Sequence, residues 1–317
     1  MFRNINIILS EKYISAFRSS YLIHSLIFHK IYPSRKDMNP QNGIPLESID
    51  IIQFEKILVY FFKRNFKFID ENDIINGNLS TFKNYIYLTF DDGYYNNILI
   101  LDLLKKYNAK ATFYISTNHV ELKKAFWWDV QYRERMIQGK NSKYMIEEIN
   151  LIKEMRWLEQ EEYIIKTFGE SKMLPLGELD RTFTEEELQL FSKQKGICIG
   201  NHTDNHLNLT HYSKTESIDS INKAKGYLEE ITQQPIRSIA YPYGYFNEEV
   251  VKTVSELDYK IGFGTQIGNT SIEEIIDEDI CLKMKRVMIS GRRDIKSQLH
   301  NAVFDFSLAS MIKKKIF

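Results

Sequence analysis

Two adjacent carboxylates, Asp91 and Asp92, close a run of strand-forming residues and are followed at once by Gly93. The run, Asn84-Tyr85-Ile86-Tyr87-Leu88-Thr89-Phe90, consists mainly of the β-branched and aromatic types that favour strands. Acids at the end of a buried strand need partners, because an unpaired charge out of water is costly. Such a pair can also divide the labour of hydrolysis. One carboxylate ligates a metal, and the other takes a proton from the water that the metal activates.

A matching set of ligands lies downstream. Gly196-Ile197-Cys198-Ile199-Gly200 reads as a short buried strand, and Asn201-His202-Thr203-Asp204-Asn205-His206 follows directly. Histidines four apart are expected on one face of a helical turn, where both imidazoles reach one ion. One Asp with two His makes a three-ligand set that leaves positions open for water and substrate, as a catalytic metal requires. Taken alone, Asp-Asp-Gly reads as a turn and His-x-x-x-His as a pair of surface histidines. Their joint occurrence, each immediately after an apolar strand, favours a site. A further strand, from Ser238, breaks at Tyr241-Pro242-Tyr243-Gly244. Pro and Gly fix a tight turn there that can aim a backbone N–H into the site, and its aromatic residues can wall a pocket.

The elements needed to position these residues alternate between strand and helix. An early strand is expected over Ser25-Leu26-Ile27-Phe28-His29, a helix over 52–64 and a short strand over 66–69. A helix over 97–107 follows the Asp pair, with Ile98, Leu101, Leu104 and Tyr107 on one face, and a strand over 109–115 follows that helix. Residues 123–190 carry no strand pattern and read as an insertion of two or three helices. Helices over 215–230 and 247–256 and a last strand over 283–289 complete the chain. Alternation of this kind argues for an α/β fold with a parallel sheet and active residues at the strands' C-terminal ends. The whole chain, 1–317, reads as a single domain.

The three motifs, in this order, resemble the polysaccharide deacetylase family, also called the NodB homology domain or carbohydrate esterase family 4. Thr89-Phe90-Asp91-Asp92-Gly93 matches the first family motif, His202-Thr203-Asp204-Asn205-His206 the second and Tyr241-Pro242-Tyr243-Gly244 the core of the third. The resemblance implies a distorted (β/α)7 TIM-like barrel. It implies Asp92, His202 and His206 as ligands of a divalent metal, usually zinc, with Asp91 as the catalytic base and the Tyr243 N–H as an oxyanion donor. The implied reaction is removal of an acyl group, N-acetyl first of all, from a sugar in a glycan or glycan precursor. O-Deacetylation or deformylation, and a catalytically inactive member that only binds glycan, are the alternatives.

The departures from the family are informative. Ala240 stands where the family often has an Arg that orients the base, so another group is expected to hold Asp91. No Leu-x-His motif supplies the leaving-group acid. These absences resemble a subgroup linked to surface-polysaccharide assembly, in which an early strand ends in an aromatic residue and a histidine. Here that makes His29 a candidate to face the site, with a core histidine as the other reading. Trp128 and Asp129 are candidates for sugar contact, the indole by stacking, or else a helix start with aromatic core anchors and Asp129 as its cap. Tyr241 is a further candidate for the pocket wall.

Composition excludes some functions. Lys and Arg total 42, as do Asp and Glu, so no global field points to nucleic acid. Two cysteines, Cys198 and Cys281, make no disulfide framework. Arg3, Glu11, Lys12, Arg18 and His24 interrupt the apolar runs of the N-terminus, and no stretch approaches the roughly 18 apolar residues of a membrane span. The expectation is a cytoplasmic enzyme, at most peripheral at the inner face of the membrane, acting on an acylated sugar, nucleotide sugar or glycan precursor. The basic tail from Met311 to Phe317 offers weak membrane contact at best.

Overall fold

The computed structural model describes residues 21–38, 48–80 and 83–304. The leader and tail readings concern segments outside these residues. Among the described residues, no helix is long and apolar enough to cross a membrane.

The strands are β1 (Leu22–Phe28), β2 (Ile31–Tyr32), β3 (Ile49–Asp50), β4 (Lys67–Ile69), β5 (Tyr85–Phe90), β6 (Ala111–Ile115), β7 (Ile197–Asn201), β8 (Ser238–Ala240), β9 (Ile261–Phe263), β10 (Thr270–Ser271) and β11 (Val287–Met288). The main sheet runs β10-β1-β5-β6-β7-β8-β9, with β11 added to β1 and β4 to β5. Every pairing in it is parallel except β1 with β10. Met284 makes a lone parallel bridge to Phe263, so the segment ending in β11 reaches from β9 back to β1 and curls the sheet into a barrel-like form. The α/β barrel expectation therefore holds.

Alternation along the strands sorts side chains between two cores. In β5, Ile86, Leu88 and Phe90 join the cluster between sheet and outer helices, while Tyr85 and Tyr87 join the cluster inside the curl. Phe90 lies between Phe28 and Phe113, with ring centroids 5.1 and 4.7 Å away, which fixes the end of β5 on its outer side. The inner set 85, 87, 89 continues to Asp91. By the same count, His29 follows Ser25 and Ile27, and His202 follows Cys198 and Gly200. The pleat thus aims these residues into the mouth of the curl.

Some sequence expectations change in detail. The helix after the Asp pair starts as a 3-10 turn, Tyr95–Ile100, and becomes α-helical only over Leu101–Lys106. The last strand is short: residues 278–281 are helical, and only Val287–Met288 pair with β1. Between β6 and β7 lie helices Trp127–Ile137, Ser142–Lys153 and Trp157–Phe168. They share a core of Phe126, Trp127, Trp128, Met145, Ile149, Ile152 and Ile164. Arg135 Nε donates to Glu148 at 2.8 Å and Tyr163 to Glu148 at 2.6 Å, so one carboxylate ties the three helices together.

The inner core holds polar groups, and one of them sets a pH dependence. Glu71 is buried beneath the sheet and accepts a hydrogen bond from Ser238. Burial pushes its carboxyl up to about 7, with the Ser238 bond opposing. The folded state therefore holds a proton that the unfolded chain releases near pH 4.5. Stability from this group is complete at low pH and falls as pH rises through 7, by on the order of 3 kcal/mol. The loss runs between the two pKa values, 4.5 and about 7, so urea unfolding at pH 5.5 and pH 8 is expected to show about 2 kcal/mol of it in the wild type and none in Glu71→Gln. Parallel profiles for the two proteins would refute it.

Candidate active site

Each motif sits just beyond a strand's C-terminal end. Asp91 and Asp92 follow β5, His202 follows β7, the turn Tyr241–Gly244 follows β8 and His29 follows β1. Asp91 N–H donates to Phe28 O at 2.9 Å, and His202 N–H donates to Ile115 O at 3.1 Å, so sheet-type bonding continues into the site. Asp92 has φ +77° and Gly93 φ +85°, a turn that sends the neighbouring carboxylates on different courses. A side chain at Gly93 would also press on Ile115 Cδ1 at 3.0 Å, so at this φ glycine is the least strained residue there.

The segment from His202 to His206 is not the helical turn expected from its spacing. It is an irregular loop with Thr203 at φ +63° and His206 at φ +53°. Local hydrogen bonds replace helical ones. The buried Asn201 side chain accepts from Thr203 N–H at 2.6 Å and donates to Ile221 O at 2.9 Å, and Thr203 Oγ1 accepts from Leu207 N–H at 2.9 Å. Side chains that bond their own backbone compete with helix, and here they prevail. The two imidazoles converge all the same.

Nε2 of His202 and Nε2 of His206 each lie 3.5 Å from Asp92 Oδ1, too far for a good hydrogen bond. The ligand atoms of these three buried residues lie within 4.8 Å of one another. His202 Nδ1 is 2.7 Å from Ala240 O, a bond that requires the proton on Nδ1 and leaves the Nε2 lone pair facing Asp92. His206 Nδ1 is buried without a protein partner. Burial, reinforced by neighbouring His202, holds the His206 imidazole well below its usual pKa, in the neutral form that can ligate. Buried polar atoms that converge but do not bond one another fit a cation.

Asp91 lies beside this cluster and is held by Arg286. The guanidinium donates through both terminal nitrogens, to Oδ1 at 2.7 Å and Oδ2 at 2.8 Å. It also donates from Nε to Gly264 O at 2.9 Å and from Nη1 to Thr89 Oγ1 at 3.2 Å. Burial alone would raise the Asp91 pKa. The Arg286 charge and hydrogen bonds outweigh it and hold the carboxyl below the usual range, ionised and able to accept a proton. Arg286 is thus the group that stands in for the missing arginine at Ala240. In the basic run Lys283-Met284-Lys285-Arg286 the only local signal for it is alternation, with Met284 and Arg286 buried and Lys285 exposed.

A pocket of about 260 Å³ opens over these groups, lined by Asp91, Asp92, His202, His206, His29, Trp128, Lys153 and Tyr243, among others. Trp128 stands 4.7 Å from the His206 ring, and Tyr243 4.5 Å, nearly perpendicular to it. Tyr243 has φ +57° and its hydroxyl accepts from Trp127 Nε1 at 3.2 Å, which links the turn after β8 to helix Trp127–Ile137. Lys153, at the end of helix Ser142–Lys153, reaches the pocket with its ammonium 5.6 Å from the Tyr243 ring. Nothing in its local sequence marked it.

Two expected contact residues do not reach this pocket. Tyr241 is fully buried, donates its hydroxyl to Leu282 O at 2.9 Å and packs on Phe246. Successive residues of a turn diverge, so Tyr243 takes the wall position and Tyr241 the core. Asp129 lies behind Trp128, its oxygens taken by Lys30 at 2.7 Å and Tyr94 at 2.7 Å. Nor does it cap its helix, which starts from Phe126 without a side-chain cap. Trp128 is a buried anchor, donating Nε1–H to Tyr94 at 2.9 Å, and it also lines the pocket.

The family model described as polysaccharide deacetylase matches residues 79–262, more than half of the chain, and its span includes all three motifs. The chain belongs to the polysaccharide deacetylase family. Solved structures bear out the fold. Streptococcus pyogenes deacetylase PplD, determined with acetate, matches with a TM-score of 0.60 at 20% identity, over 89% of this chain and 98% of that one. BC0361, a polysaccharide deacetylase from Bacillus cereus, matches with a TM-score of 0.63 at 18% identity, over 90% of this chain and 69% of that one. Among curated sequences, YxkH of Bacillus subtilis (strain 168), provisionally assigned as a polysaccharide deacetylase, is 30% identical over 91 residues. That match spans 29% of this chain and only 32% of YxkH. Members of this family are carbohydrate-directed hydrolases. The pocket at the strand ends is where such chemistry belongs in a barrel.

Proposed function

We propose that the protein is a metal-dependent deacetylase that hydrolyses an N-acetyl group on a sugar of a polysaccharide or glycan precursor. The observation that carries this reading is the convergence of Asp92, His202 and His206 beside an ionised, arginine-clamped Asp91. Asp92, His202 and His206 would hold a divalent ion, zinc in the first instance, since imidazole and carboxylate suit it. Such an ion supplies Lewis acidity toward the acyl carbonyl and lowers the pKa of bound water toward 7. Asp91 takes the proton from the attacking water, and the clamp keeps its carboxylate in place while it does so. The Tyr243 N–H stabilises the oxyanion, Trp128 and the Tyr243 ring wall the sugar, and helices 127–168 serve as an insertion that completes the pocket.

His29 gives the leaving nitrogen its proton. Support comes from its place in the pocket lining with Asp91 and Asp92 and from a backbone fixed by Asn97, which donates to His29 O at 2.7 Å. His29→Gln is expected to lower kcat on acetylated amino sugars by roughly 10²-fold or more. The loss should be much smaller on an activated aryl acetate, whose leaving group needs no proton. Equal losses on both substrates would exclude the acid role.

The metal reading is tested without reference to turnover. Protein purified without chelator is expected to carry about one equivalent of a divalent ion by elemental analysis, and His202→Ala/His206→Ala to carry none. Metal binding should also raise the wild-type melting temperature and leave the double variant unmoved. A wild type that takes up no metal on reconstitution would overturn this reading.

A further inference from the structure

A second surface stands out on charge. The groove between helix Ile51–Phe62 and helix Ile295–Phe304 has a volume of about 980 Å³. It is lined by Arg35, Lys56, Lys63, Arg292, Arg293 and Lys296, all of them exposed. In a chain with 42 basic and 42 acidic residues, this is a local concentration. The acids that line the groove are already engaged. Glu55 accepts from Lys106 at 2.6 Å and from Tyr107 at 2.9 Å, and Asp294 accepts from Ser297 N–H at 2.8 Å. Among the described residues, none of the named cations forms an ion pair.

Apolar residues are exposed among these cations. On helix Ile51–Phe62, Ile52 lines the groove and is 60% exposed, and Phe62, which flanks the groove with its ring against Tyr107, is 56% exposed. Ile52, Lys56, Val59 and Lys63 follow one another at spacings of four, three and four, which places them in one stripe. A helix face that mixes bases with exposed aliphatic and aromatic side chains suits a bilayer interface, where the apolar groups enter the headgroup boundary and the cations meet phosphates. A soluble polyanionic glycan would use the charges and leave Ile52 and Phe62 in water.

One end of the groove borders the candidate active site. Arg292 and Arg293 follow β11, which runs parallel to β1 and so ends on the side where β1 leads into His29, and Arg35 lies three residues beyond β2, in the segment that follows His29. Met288 lines the pocket, and three residues later Gly291 N–H donates to Ser48 O at 2.9 Å at the start of the groove.

We propose that this groove seats the protein on an anionic membrane surface through lipid phosphates, with the pocket mouth held beside the headgroups. This holds whatever reaction the pocket performs. The test is flotation of the full chain with vesicles of phosphatidylglycerol and phosphatidylcholine, set beside vesicles of phosphatidylcholine alone. The wild type should bind the anionic vesicles and not the neutral ones, and raised salt should weaken binding. K56Q/K63Q/R292Q/R293Q should bind several hundredfold more weakly, at roughly fivefold for each cation removed. K143Q/K166Q/K195Q/K252Q, with the same change in charge at exposed sites elsewhere, should lose far less. Far-UV circular dichroism and an unchanged melting temperature establish that both variants fold. Absence of wild-type binding at physiological salt, or equal loss in the two variants, would overturn the proposal. Retention of a soluble polyanionic glycan without vesicle binding would also overturn it and assign the groove to glycan.

Discussion

Asp91→Asn lowers turnover of an acetylated glycan by roughly 10²- to 10⁴-fold, the range that a positioned general base contributes, while metal content stays at the wild-type level. The separation follows from geometry. Asp92 shares the metal cluster with both histidines, and Asp91 is turned instead to Arg286. An amide keeps the shape of the carboxylate and can still accept one bond from the guanidinium, but it leaves the buried Arg286 charge unbalanced, so stability should fall by about 3–5 kcal/mol and turnover is read on the protein that remains folded. The measurement is kcat/KM on acetylated oligosaccharides beside elemental analysis of the same preparations. If Asp91→Asn turns over like the wild type, Asp91 is not the base. If neither protein turns over any acylated sugar although both hold metal, the chain is a glycan-binding member of its family.

The candidate site was legible in the sequence because its residues lie where strand periodicity runs into a break. Asp91, His29 and His202 continue the inward sets of β5, β1 and β7, and these strands are apolar enough to be read directly. The parallel α/β class followed from the same alternation, and the barrel form from the family resemblance of the three motifs. What the sequence hid was anything decided by chain reversal or by distant partners. The His202–His206 spacing looks helical, but Asn201 and Thr203 bond the loop backbone and hold Thr203 and His206 at positive φ. Tyr241 and Tyr243 are alike in type, and only the turn between them sends one into the core and the other into the pocket. Lys30 and Asp129 pair across 99 positions, and no local pattern forecasts such a contact. The missing arginine is the clearest case, because its substitute lies 195 positions from Asp91.

Arg286 is therefore the residue on which a second large effect is expected. It is fully buried, and its charge is balanced by Asp91. Arg286→Met leaves a lone carboxylate out of water, and breaking a buried pair from one side typically costs about 3–5 kcal/mol of stability. Turnover should fall as well, by roughly 10²-fold, since a base displaced by about 1 Å loses that much. The two effects separate in the double variant. Asp91→Asn/Arg286→Met has no stranded charge, so most of the lost stability returns while turnover stays as low as in Asp91→Asn. Arg286→Lys keeps the charge but not the fork. A single ammonium cannot serve both carboxylate oxygens and the Gly264 carbonyl together, so stability should recover in part and kcat should stay low with KM little changed. Urea unfolding and steady-state kinetics on these variants read both quantities. A purely structural arginine would lower stability in Arg286→Met without changing kcat in the protein that remains folded. A loss of kcat in folded Arg286→Lys instead makes Arg286 a positioning residue, one that acts on the reaction only through the carboxylate it holds.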